Sequence, residues 1–99
     1  MVDFEMLTNL ANEIARVFNM DTEYAQALVC PCVPCSLQGW TVYLRISLDN
    51  ARGMATLVAD RKNEYGNWAL NGPIICVERL APETYPLAIK LEGEHWIDY

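Results

Sequence analysis

At 99 residues the chain has room for one domain around one modest core, and too little length to stabilise a second. Thirteen acidic against seven basic side chains leave a net charge of −6, which repels a phosphate backbone, so no direct nucleic-acid binding is expected. The composition is 53% hydrophobic, yet no run approaches the roughly 20 apolar residues that cross a bilayer, and Met1 is followed by Asp3 and Glu5 rather than a basic leader. A soluble, cytoplasmic protein without a membrane role is the expectation.

Asp3 can cap a helix in which Phe4, Leu7, Leu10, Ala11, Ile14, Val17 and Phe18 recur at three- and four-residue spacing. Asn9, Asn12, Glu13 and Arg16 fall largely on its other side, so the helix buries a stripe. Asn19-Met20 forms a tight joint. Asp21, close to the first-turn acid Glu23, opens a shorter helix through Tyr24, Ala25, Leu28 and Val29 that must end before Pro31. The helical part spans about 3–30.

Residues 30–39 form a Cys/Pro-rich crossover, with three cysteines in Cys30-Pro31-Cys32-Val33-Pro34-Cys35. Cys32 and Cys35 have the C-x2-C spacing that lets two thiolates hold one tetrahedral ion; Cys30 adds a third ligand, and the fourth is Cys76 or, in its place, the single histidine His95. Soft thiolates favour zinc, and a zinc-stabilised structural module is one reading of the chain. The same pair suits a thiol-disulfide redox protein, but the cluster follows a helix, and the negative end of the helix dipole raises a thiol pKa where a redox cysteine needs it lowered. The plainest reading packs the cysteines as small hydrophobes beneath a stiff link between two layers.

From residue 40 the hydrophobic period changes to two. Trp40, Val42, Leu44, Ile46 and Leu48 alternate with Thr41, Tyr43, Arg45, Ser47 and Asp49, which predicts a strand with one packed face. Asp49-Asn50-Ala51-Arg52-Gly53 turns the chain into an antiparallel return over Met54 to Ala59. Residues 60–67 form a polar connection, Trp68 to Leu70 a short strand, and Ile74 to Leu80 another. Tyr85, Leu87, Ile89 and Leu91 alternate with Pro86, Ala88, Lys90 and Glu92 and predict a further strand, and His95 to Tyr99 a terminal strand or docked tail. Helices before strands give an α+β fold: two N-terminal helices packed on one face of a four- or five-stranded, mainly antiparallel sheet, in a single domain whose sheet part is 40–99. The opposite sheet face is expected to carry Tyr43, Arg45 and Lys90.

No phosphate-binding glycine loop or H-x3-H pair is present, and His95 lies beside Trp96 without a nucleophile in any recognisable motif, so no catalytic residues are assigned. An acidic chain with three tryptophans and five tyrosines suggests binding without turnover. The expected function is a small non-enzymatic protein-binding module, an inhibitor or adaptor docking on a basic protein surface. Glu5, Glu13, Asp21 and Glu23 would steer the encounter, and Tyr43, Arg45, Tyr65 and Trp68 would supply contact area. A homodimer is the alternative use of the aromatic surface.

Overall fold

The computed structural model describes residues 4–29, 41–62 and 74–98, and its elements form a helical layer on one face of a four-stranded antiparallel sheet. The first helix, α1, runs Phe4–Val17 and buries Leu7, Ala11, Ile14, Ala15 and Val17. It stops because Asn19 turns left-handed at φ 49°, a conformation asparagine tolerates better than most residues. The Met20 N–H then reaches back to the Ala15 carbonyl at 3.0 Å, closing a Schellman motif. In the second helix, α2 (Thr22–Val29), the Asp21 carboxylate accepts the Glu23 N–H at 2.8 Å and satisfies a first-turn amide. The expected joint and cap are therefore both present.

Strand β1 (Thr41–Asp49) and strand β2 (Met54–Lys62) form a hairpin in which Asp49 pairs Met54 and Thr41 pairs Lys62. The Arg52 N–H donates to both the carbonyl and the carboxylate of Asp49. Gly53 closes the turn at φ 64°, where a side chain would be strained. Cross-strand partners share a face. Val42, Leu44 and Ile46 are buried under the helices, with Ala55, Leu57 and Ala59 beside them. Small alanines on β2 and on α1, α2 and the third helix let the two layers approach closely.

Strand β3 (Ile74–Arg79) adds to β2 with a bulge: Leu57 pairs Cys76 but Val58 pairs Ile74, leaving Ile75 without a partner. The chain then crosses the helical face to the far edge. It does so through a 3-10 turn at Pro82–Thr84 and helix α3 (Tyr85–Leu91), before strand β4 (Gly93–Asp98) pairs antiparallel with β1. The sheet order is β3-β2-β1-β4.

Helix α3 corrects the expectation of a strand over Tyr85 to Leu91. Buried Ala88 and Leu91 are three residues apart on one helical face, whereas Ile89, which an alternating strand would bury, is 60% exposed. Pro86 stands in the first helical turn, where its missing N–H costs nothing, while inside a strand it would remove a ladder bond. Lys90 accordingly belongs to α3 and does not sit on the sheet's open face. The predicted strand at Trp68 to Leu70 and the crossover at 30–39 lie outside the described residues. No polar or charged side chain among the described residues is fully buried, and no helix among them is long and apolar enough to cross a membrane.

Candidate functional site

The face of the sheet turned away from the helices is built by the second half of each strand's alternation. On β1 it presents Tyr43 and Arg45; the register sets Trp96 beside Tyr43 and Glu94 beside Arg45. The Tyr43 and Trp96 rings lie 4.4 Å apart, centroid to centroid, inclined at 37°. The Tyr43 hydroxyl donates to the Glu94 carboxylate at 3.1 Å. Local desolvation pushes the Tyr43 phenol above its usual pKa, and the hydrogen bond and negative charge of Glu94 push the same way. Trp96 nevertheless remains 61% exposed, and Ile74 and Val77 of β3 are 60% and 49% exposed. In the register these two lie beside Val58 and Thr56, so they share the face of Arg45 and Tyr43.

At the β4 margin this face meets a groove of about 510 Å³. One wall is α1, where Met6, Asn9, Leu10 and Glu13 follow helical spacing, with Leu7 deeper; the other is His95, Trp96 and Ile97, with Leu91 at the end of α3. His95 is fixed there by donating its Nε2 hydrogen to the Leu91 carbonyl at 2.9 Å, which sets its tautomer. The imidazole is thus braced against the turn between α3 and β4.

Of the residues predicted from sequence, Tyr43 and Arg45 share the open face, and Glu13 enters the groove wall. Glu5 lies two turns before Glu13, about 12 Å along the α1 axis. The Asp21 carboxylate is committed to its cap, and Glu23 is exposed in the turn it caps. Cys30, Cys32, Cys35, Tyr65 and Trp68 lie outside the described residues. Cys76 points its thiol at the Phe18 carbonyl, 3.8 Å away, and burial followed by the charge of Glu78 raises its pKa, so the protonated donor is the favoured form. Cys76 and His95 sit on opposite edge strands, about 14 Å apart by three interstrand spacings. One metal ion can therefore recruit at most one of them. Among the described residues no three His, Cys, Asp or Glu side chains gather to hold a metal.

Trp96 and Glu94 were not among the predicted binding residues. Their signal was the alternation Glu94, Trp96, Asp98, legible as a face only once β4 is known to pair with β1. Comparison with protein-family models, with curated proteins and with solved structures gives no match.

Proposed function

We propose that the protein is a small non-enzymatic protein-binding module, an inhibitor or adaptor that docks on a basic protein surface. The observation that carries this reading is the Tyr43–Trp96 pair on the sheet face opposite the helices, where Trp96 remains 61% exposed. Aromatic rings held rigid by a neighbour lose little entropy on contact and are the side chains that dominate interface energetics. The net charge of −6 supports a basic partner, since complementary charge speeds encounter.

The test places a photoreactive phenylalanine analogue at Trp96 and, as a control, at exposed Arg52 in the β1–β2 turn. Position 96 should cross-link one protein that position 52 does not. Trp96→Ala should weaken binding to that protein about thirty-fold, the equivalent of about 2 kcal/mol at a hot spot. Reversing Glu5, Glu13 and Glu23 together should slow association and flatten its salt dependence. Asp21 is left intact because its loss would weaken α2 itself. Cross-linking that does not distinguish the two positions, or an affinity indifferent to Trp96, would refute the reading.

A further inference from the structure

Successive strand residues project to opposite faces, so a groove bordered by His95, Trp96 and Ile97 together belongs to neither face. It runs along the outer edge of β4, with α1 as its far wall. The sheet's two edges are built differently. On β3 the bulge at Ile75 breaks the register and Glu78 and Arg79 follow it, devices that discourage further pairing. On β4 the register against β1 is unbroken from Gly93 to Asp98, and no described strand pairs with its outer side. Alternate peptide units of such an edge turn N–H and C=O groups outward, which is a template for one more strand.

We infer that β4 takes up an extended, apolar and basic segment of a protein partner as a fifth strand, seated between the edge and α1. The inference rests on the binding-module reading and names the form of the ligand. Main-chain bonds to β4 would supply affinity, and alternate side chains would enter the apolar groove against Met6 and Leu10. Charge selects the occupant. Glu13 stands in the groove wall and Glu92 and Glu94 are exposed along the approach, while the nearby cations, Arg16 one turn on from Glu13, Arg45 paired across from Glu94, and Lys90 at the end of α3, do not line the groove. A second copy joined edge to edge would bring one −6 chain against another. A segment carrying Lys or Arg meets the same acids with opposite sign.

The experiment selects a displayed library of random ten-residue peptides against the full chain and studies the tightest binder by NMR. Selected sequences should alternate apolar residues with Lys or Arg. The bound peptide should give cross-strand contacts to residues 93–98 and slow the exchange of β4 amides. Methylating alternate peptide nitrogens should weaken binding at least tenfold, as should Glu13→Lys or, independently, Glu94→Lys in protein with an unchanged circular dichroism spectrum. Binders that contact Tyr43, Arg45 and Val77 but not the β4 edge would overturn strand addition while leaving a binding module. A selection without binders would overturn it too, with the Trp96 cross-link deciding the broader reading separately. A concentration-dependent dimer with β4–β4 contacts, which selected peptides fail to displace, would make a second copy the occupant and overturn the proposal.

Discussion

Leu44 and Arg45 are neighbours in β1, yet one is fully sealed beneath the helices and the other faces outward beside Glu94. The same contrast runs along the sheet. On the helical side, Val42, Leu44, Ile46 and Leu57 are apolar and dry, and folding alone accounts for every one of them. On the open side Val58 is buried, but Tyr43, Ile74, Val77 and Trp96 keep apolar area in water that the monomer gains nothing by exposing, at about 25 cal/mol for each Å² left unburied. The difference teaches where to look for selection other than stability: side chains whose identity the fold does not require stand on the open face and along its β4 margin.

The largest effect expected from this contrast is on stability. Leu44→Ala removes buried methyl groups from a packed core and should cost about 2–5 kcal/mol, whereas Arg45→Ala, one residue on, should stay within about 0.5 kcal/mol. Urea unfolding measures both, and similar losses would erase the distinction between the faces. Trp96→Ala comes next and should divide its effects. Unfolding should register only the lost ring pair, about 0.5–1.5 kcal/mol, while affinity for the cross-linked partner drops about thirty-fold. A Trp96 variant that unfolds like Leu44→Ala would move the indole from the contact surface into the core.

The acids separate in the same way at smaller scale. Asp21→Ala should cost about 1 kcal/mol through the lost cap, visible as a lower urea midpoint. Glu23→Ala, which leaves the capped backbone N–H in place, should cost only about 0.3 kcal/mol, the low end of a helix-dipole contribution for an exposed side chain. If the two match, Asp21 is not the residue that starts α2.

How far the sequence discloses this arrangement depends on the range of the interaction involved. Local chemistry was sufficient for α1, for the Asp21 cap, for the Asn19 joint and for the turn at Asp49 to Gly53, because each is decided within about five residues. The alternation of β1 was legible because its two sides meet such different surroundings. Tyr85 to Leu91 misled because a seven-residue helix carrying apolar residues at every second position also satisfies a strand's period, and only the prolines argued otherwise. The groove was not legible at all. It exists because the chain leaves β3, crosses the helical face through α3 and lands beside β1, and no local motif specifies that landing. The acid Glu13 could be nominated from the chain, but its neighbours in space, Trp96 and His95, could not.

The gentlest probe of the two faces is titration, because each holds a group whose pKa is raised. For Cys76 on the helical side the leading cause is burial, with Glu78 adding to it. Its charged form is disfavoured in the fold, so its contribution is intact below the unfolded value near 9 and is lost as pH climbs through the higher folded value, where the unfolded chain has already released its proton. Alkylation of native Cys76 should therefore be slower at pH 8 than that of the urea-unfolded chain.

For Tyr43 on the open side, Glu94 adds to desolvation, and the phenol stays protonated above the ordinary value of 10.0. The sign is the same, with stability declining only as pH rises past the point where the unfolded tyrosine ionises. Glu94→Gln removes the negative charge while preserving an acceptor, so Tyr43 should ionise at lower pH, with desolvation still raising its pKa and the charge and hydrogen bond of Arg45 lowering it. Absorbance near 295 nm follows this, with a Tyr43→Phe variant subtracted to remove the other four of the five tyrosines. An unmoved titration in Glu94→Gln would mean that Glu94 does not hold the Tyr43 hydroxyl. The aromatic pair would then be anchored by Trp96 alone, and the rigid surface offered to a partner would be correspondingly looser.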